Sequence, residues 1–300
     1  MSTYVSANLS VVPKSILVAD DFSDMSSKAL EYAAALGKRF GSYVTLVHVT
    51  EPLSPIVPPE GDVFWDVEEQ KRAFELQLDR GVKELRAAGL RADRVEASGS
   101  IPEELIATAR GHSSDLMIVG THAPKGLGRL ILGSVSEEVL VRSGCPVMVV
   151  GPNTLPATAG AWSPRHLMAL VALSHEGLKA IVHSFHLARE VGASLDLFMI
   201  FDRENTVDHK DWQFLRLALA EKLPGVDIEK ELPHECVPRD QAVHRVLDLS
   251  SLREADAIIV SEECGGSKHP HFQRDIISRL SAESRCPLIV VPRDQPTISS

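Results

Sequence analysis

The sequence predicts an α/β protein built as two tandem open doubly wound parallel five-stranded sheets with helices on both faces. Three observations carry this prediction. Two sequence blocks recur at one fixed spacing, short β-rich runs alternate with longer helical patterns, and several strands are apolar on both faces. Strands of the last kind suit the interior of a parallel sheet that helices cover on each side.

The repeat divides the chain into two related halves. The block SDLMIVG at 114–120 returns as ADAIIVS at 255–261, and CPVMVV at 145–150 returns as CPLIVV at 286–291. Both blocks return 141 positions later. A period this long indicates duplicated domains rather than a short-repeat solenoid.

The boundary between the halves falls in residues 152–164. This stretch is rich in proline and glycine and has no apolar periodicity, which is typical of a linker. We therefore expect a first domain over residues 1–151 and a second over 165–300.

Short apolar runs between helical patterns predict the strands of both halves. In the first half they are expected near Ser15–Ala19, Ser42–Val49, Arg94–Ala97, Leu116–Val119 and Pro146–Val150. In the second half they are expected near Leu167–Ala172, Ser194–Phe201, Val226–Glu231, Ala257–Val260 and Pro287–Val291. The last strand of each half is a compact apolar edge that would aggregate if exposed, so we predict that these two strands pair with each other.

Bulk composition excludes several classes of protein. A formal net charge of -10 without a basic patch disfavours nucleic acid as a partner. No apolar run approaches the roughly 20 residues that span a bilayer, so we expect no membrane insertion and a cytoplasmic location. Four cysteines without a C-x-x-C pair predict reduced, mostly buried thiols.

Ligands of open α/β sheets bind beyond the carboxyl ends of the strands, so the strand-end loops are the candidate sites. After the first strand, Asp21 is expected just past the strand end, while Ser23 or Asp24 caps the helix that follows. Capping and solvation explain these acids as well as ligand contact does.

The second candidate loop runs from Gly120 to Ser134 and is rich in glycine. Ser134 and Glu137 have the spacing of a capping box at the start of the next helix. A helix N-terminus with nearby glycines, and with Lys125 and Arg129 in the loop, could hold an anion such as phosphate. A plain turn with a helix cap is the alternative.

The first half resembles the universal stress protein family. The resemblance rests on five segments in order: VADDFS at 18–23, VHV at 47–49, GTH at 120–122, LGSVSE at 132–137 and CPV at 145–147. It implies an ATP site, with ATP alone or with Mg²⁺, formed by Asp21, Val49, Gly120, Ala123, Gly133 and Ser134. Ala123 stands where that family's phosphate loop has a second glycine, and Pro124 follows it.

The second half departs from this pattern. Arg274 and Asp275 stand where Gly133 and Ser134 stand in the first half, and Ala172 takes the place of Asp21. We therefore expect no ATP site of the same kind there.

Two kinds of chemistry compete with nucleotide binding. Cys264, His269 and His271 are close in sequence, and His183 and His186 share a helix face, but neither group is a complete zinc site. The chain also lacks a G-x-S-x-G elbow for nucleophilic catalysis.

The resemblance predicts a stress-response protein that binds an adenine nucleotide in its first domain as a regulatory ligand, with a structural second domain. The alternatives are a nucleotide-free interaction scaffold, which Ala123 and Pro124 favour, and slow ATP hydrolysis. Pairing of the two domains within the chain is expected, and association of two chains into a homodimer is left open.

Overall fold

The computed structural model of the protein describes residues 11–51, 67–121, 132–158, 160–172, 174–201, 209–262 and 270–293. Its strands are β1 Ser15–Ala19, β2 Tyr43–Thr50, β3 Arg91–Ser98, β4 Leu116–Gly120, β5 Val147–Val150, β6 His166–Ala172, β7 Ser194–Phe201, β8 His234–Pro238, β9 Ala257–Ser261 and β10 Leu288–Val291. Its helices are α1 Asp24–Phe40, α2 Val67–Ala87, α3 Ile101–Gly111, α4 Ser134–Arg142, α5 His175–Val191, α6 His209–Lys222, α7 Ile228–Glu231, α8 Arg239–Leu252 and α9 Pro270–Glu283.

The strands of the described residues form one ten-stranded sheet in the order β3-β2-β1-β4-β5-β10-β9-β6-β7-β8. Within each half the five strands are parallel. The strand order reverses between β1 and β4 and again between β6 and β9. The predicted fold class is therefore confirmed, with the two five-stranded sheets joined edge to edge.

The join between the halves is the pairing of β5 with β10. These strands run antiparallel, with Val149 opposite Leu288 and Met148 opposite Ile289. The pairing satisfies the backbone groups of two apolar edges that would otherwise be open to other chains. The predicted pairing of the two last strands is confirmed.

Helices cover both faces of the sheet, and each hydrophobic core runs through both halves. On one face, α1, α2, α5 and α6 bury residues such as Leu36, Leu78 and Ile181. On the other face, α3, α4, α8 and α9 bury residues such as Leu105, Val139 and Ile277. Each helix in the described ranges is too short or too polar for a membrane span.

In each half, an aspartate accepts hydrogen bonds from the backbone amides at the start of the first strand. Asp115 accepts the backbone N–H groups of Lys14 and Ser15 at 2.7 and 3.0 Å. Asp256 accepts the corresponding amides before and at the start of β6, those of Arg165 and His166, at 2.7 and 2.9 Å. The second half has therefore retained the local structure that positions its first strand.

The third strand of the second half differs from its prediction at 226–231. Residues Ile228–Glu231 form the single helical turn α7, and the strand is β8, His234–Pro238. The polar sequence around α7 favours a turn of helix. Because β8 is the outer strand of the sheet, it needs few apolar residues, and the buried side chain of Val237 is its main contact with the core.

The segment 152–164 packs against α1 of the first half where it is described. Lys28 Nζ of α1 donates to the carbonyl oxygens of Pro152 and Thr154. The side chain of Trp162 is buried against Phe40, with ring centroids 6.4 Å apart. These contacts fasten the connection to the surface of the first half.

Candidate functional site

A cavity opens at the carboxyl ends of β1, β2 and β4, where the strand order of the first half reverses. It has a volume of about 260 Å³ and is open to solvent. This volume is just below the range of about 300 to 1,000 Å³ that is typical of small-molecule sites. Its walls are the three strand ends, the first turns of α3, and the beginning of α4.

The cavity brings together most of the residues that the sequence predicts for a site. Its lining includes Asp21, Val49, Gly120, Gly133 and Ser134. Ala123 and its neighbours Pro124, Lys125 and Arg129 lie outside the described residues.

The loop after β1 places two carboxylates at the rim of the cavity. Asp20 Oδ1 accepts the N–H of Phe22 at 2.8 Å, and Asp21 Oδ1 accepts the N–H of Ser23 at 3.1 Å. Ser23 is the N-cap of α1 and accepts the N–H of Ser26, as predicted. These local bonds fix the direction in which Asp21 leaves the strand.

An aromatic cluster fixes the same loop from the other face of the sheet. Phe22 has a left-handed backbone with φ 64°, which is unusual for a large side chain. Its ring packs on His48 and Phe74 at centroid distances of 4.4 and 5.5 Å. His48 Nδ1 lies 2.7 Å from the carbonyl oxygen of Asp20, which only accepts, so this nitrogen carries the proton.

Gly120 is required by packing rather than by a special backbone angle. A Cβ at this position would lie 2.7 Å from the carbonyl carbon of Met25 in the first turn of α1. The missing side chain therefore lets α1 begin directly beside the end of β4. This close approach forms the floor of the cavity.

Gly133 is the N-cap of α4 and has an ordinary extended backbone with φ -62° and ψ 148°. A Cβ at Gly133 would meet no atom within 4 Å, so neither packing nor backbone geometry demands glycine here. The predicted capping box of Ser134 and Glu137 is wrong, because Ser134 is already the first helical residue.

The first amides of α4 are therefore available to a ligand. Within the described residues, the N–H groups of Ser134, Val135 and Ser136 have no hydrogen-bond acceptor. All three residues line the cavity. The first amides of a helix carry a partial positive charge, which favours an anion at this point.

The corresponding helix of the second half has no N-terminus at this place. Arg274 and Asp275 stand at the positions of Gly133 and Ser134, but α9 already begins at Pro270. The amides at 274 and 275 therefore belong to the body of the helix, where backbone bonding satisfies them. Proline suits the first helical position because it has no N–H to leave unpaired.

Two described positions at the strand ends of the second half also differ from those of the first half. Gly177 in the first turn of α5 lies so near the carbonyl oxygen of Ala172 that a Cβ would overlap it. Glu262 follows β9 as Thr121 follows β4, and its buried carboxylate accepts the N–H of Arg293 at 3.0 Å. Its other oxygen pairs with Arg293 Nε at 3.2 Å, so an ion pair stands where the first half has a neutral threonine.

The described residues contain no group of three or more His, Cys, Asp or Glu side chains that could hold a metal ion. His183 is buried within α5, and burial lowers its pKa to about 4. Cys264 and His269, the other part of the metal alternative, lie outside the described residues.

Sequence reasoning missed the apolar wall of the cavity and two of its buried polar residues. Ile101 and Leu105 of α3 face the strand ends, and Thr121 and Ser136 are buried beside them. The α3 residues have the pattern of an ordinary amphipathic helix, so no local signal distinguishes them from core residues.

The fold and the cavity define a tandem open α/β protein with a cavity at the switch point of its first sheet. The universal stress protein family model matches residues 13–151. The chain is 32% identical over 143 residues to the universal stress protein YxiE of Bacillus subtilis, covering 45% of this chain and 97% of that protein. It therefore belongs to the universal stress protein family.

Two further comparisons agree with this assignment. A universal stress protein of Thermus aquaticus is 31% identical over 138 residues, covering 46% of this chain and 98% of that protein. The crystal structure of a universal stress protein from Archaeoglobus fulgidus superposes with a TM-score of 0.70 at 18% identity, covering 96% of this chain and 99% of that chain. The latter similarity shows the fold shared along both halves.

Proposed function

We propose that this protein binds one adenine nucleotide, ATP, in the cavity of its first half as a regulatory ligand of a stress response. The second half has a structural role in this proposal. The observation that carries it is the beginning of α4, where three residues that line the cavity have backbone amides without an acceptor among the described residues.

The phosphates would lie at the beginning of α4. Backbone N–H groups at a helix N-terminus bind phosphate oxygens through the partial charge and the unpaired donors together. The absence of a side chain at Gly133 leaves this approach open, and the Ser134 hydroxyl adds a donor at the same place.

The base would lie against the apolar part of the cavity. Val49, Val119 and Leu105 provide a wall on which a flat aromatic ring can pack. The choice of adenine rests on the resemblance of the first-half motifs to those of the ATP-binding members of the family.

Asp21 would take part through a cation. Mg²⁺ is usually held by one or two carboxylates together with the phosphates of the substrate. Asp21 lines the cavity as an exposed carboxylate and is the residue that we assign to this contact.

Calorimetry with ATP and Mg²⁺ tests the proposal on the full chain and on Gly133→Arg. Gly111→Arg is the matched control, because Gly111 is also exposed, has no atom near its Cβ, and lies at the far end of α3. We expect the wild type and Gly111→Arg to bind one ATP per chain, and Gly133→Arg to bind none. Negligible heat from all three proteins would reject the nucleotide site. The alternative function, a nucleotide-free interaction scaffold, would then be favoured.

A regulatory ligand is expected to remain intact after binding. Chromatography of the nucleotide recovered from the protein should return ATP after prolonged incubation. If the wild type converts ATP to ADP and Gly133→Arg does not, the protein is a slow ATPase and the proposal of a regulatory ligand is wrong.

A further inference from the structure

The last helix of the second half is held against the end of the first half and the segment that follows it. At Gly151, just after β5, a Cβ would overlap the carbonyl oxygen of Ser281 in α9. Asn153 Nδ2 donates to the carbonyl oxygen of Ala282 at 2.8 Å. The N–H of Leu155 donates to the carbonyl oxygen of Arg285 at 2.9 Å. Three contacts from residues 151–155 therefore hold the end of α9 and the residues just after it in place.

One turn earlier, α9 reaches the segment that leads into α4. The N–H of Leu132 donates to Ser278 Oγ at 3.4 Å, and this contact is buried. The side chain of Leu132 is buried in the same core as Ile277 and Leu280 of α9. Leu132 immediately precedes Gly133, the N-cap at the mouth of the cavity.

A buried backbone N–H is costly to leave without an acceptor. At Leu132 the acceptor comes from the other half of the chain, 146 residues away. The orientation of this peptide group, and so the entry of the chain into α4, depends on where α9 stands.

We propose that α9 of the second half positions the nucleotide site of the first half, with Ser278 as a positioning residue that acts through the Leu132 amide. This inference rests on the proposed function of the α4 N-terminus. It gives the second half a role in binding even though that half carries no such site itself.

The arrangement uses one pair of equivalent helices for two purposes. In α4 the helix begins at Ser134, so its first amides are available to a ligand. In α9 the helix begins earlier, at Pro270, and Ser278 falls at the position equivalent to Glu137. Because α9 is longer, it has no N-terminus at the position equivalent to the start of α4. It provides instead a buried hydroxyl, that of Ser278, which contacts the first half.

The test compares Ser278→Ala with Ser281→Ala in the full chain. Ser281 is the matched control, because its buried hydroxyl donates to the carbonyl oxygen of Ser278 inside α9 at 2.9 Å. ATP affinity is measured by calorimetry with Mg²⁺, and exchange of the Leu132 amide is measured by nuclear magnetic resonance. Urea unfolding of both variants accounts for losses of stability that do not involve the site.

We expect Ser278→Ala to bind ATP about 3- to 10-fold more weakly, which corresponds to one buried hydrogen bond. Its Leu132 amide should exchange faster than in the wild type. Ser281→Ala should retain both the affinity and the slow exchange. If Ser278→Ala does not fold, Ser278→Cys replaces it, since a thiol is close in size and a weak acceptor.

Equal ATP affinity for the two alanine variants and the wild type would overturn the positioning role while leaving the nucleotide site intact. A wild-type chain that takes up no ATP would remove the proposed function itself, and with it the site that α9 is inferred to serve. The two failures are therefore distinguishable in one set of titrations.

Discussion

Gly133→Ser is expected to strengthen the fold and weaken nucleotide binding at the same time. Gly133 has the extended backbone that an N-cap needs, and serine fits there because a Cβ meets no atom within 4 Å. Serine is a better N-cap than glycine by a few tenths of a kcal/mol, since its hydroxyl accepts an amide of the first turn. The serine hydroxyl would accept the N–H of Val135 or of Ser136, and we assign both of these amides to the phosphate.

The expected loss of ATP affinity equals the free energy of the one hydrogen bond that the phosphate no longer forms. A hydrogen bond to a charged group contributes about 1.5 to 3 kcal/mol. The affinity for ATP should therefore fall by about ten- to a hundredfold, at 1.4 kcal/mol for each factor of ten. Urea unfolding should show an unchanged or slightly higher midpoint in the same variant.

Calorimetry and urea unfolding are done on the wild type, on Gly133→Ser, and on Gly111→Ser as the control for an added hydroxyl elsewhere. The reasoning is refuted if Gly133→Ser binds ATP as tightly as the wild type. It is equally refuted if binding and stability fall together, because the variant would then act through a damaged fold.

Three further predictions concern stability and reactivity. Burial lowers the pKa of His183 to about 4, below its unfolded value of about 6.5, so the unfolded chain binds more protons between these values. The free energy of unfolding should fall by about 3 kcal/mol as the pH drops through that window, and urea titrations of His183→Leu should lack this loss. Gly120→Ala should lower the free energy of unfolding by about 1 to 3 kcal/mol because its Cβ collides with α1, and a wild-type urea midpoint would contradict this. Burial raises the pKa of Cys145 to about 12 and that of Cys286 to about 11, so a disulfide reagent at pH 8 should label them only after unfolding. Rapid labelling of both thiols in the folded protein would show that the core is more open than the structure indicates.

The two halves share their strands but differ in where the helix beside the last strand begins. Asp115 and Asp256 bind the first strands of their halves through the same pair of amides. Where the ligand would enter, however, α4 begins at the cavity and α9 begins a turn earlier. The difference lies in where a helix starts, and the sheet itself is unaffected.

The sequence predicts well those features that depend on burial along the chain. β1 and β4 and the apolar edges β5 and β10 are compact apolar runs, and the structure places them close to their predicted bounds. The third strand of the second half was misplaced, because β8 is an outer strand with little apolar sequence. The predicted capping box of Ser134 and Glu137 is wrong, because the N-cap is Gly133 and spacing does not show which residue has the extended backbone of an N-cap.

By itself, the sequence determined the two-fold repeat, the order of strands and helices in the first half, and the pairing of the two last strands. Only the tertiary structure decided that Leu105 of α3 lines the cavity, that the amides at the start of α4 face it, and that Ser278 reaches Leu132. Periodicity along the chain reports which residues are buried, because burial repeats with the period of a helix or strand. Which distant groups meet at a strand end depends on how the helices pack on the sheet, and that information has no period in the sequence.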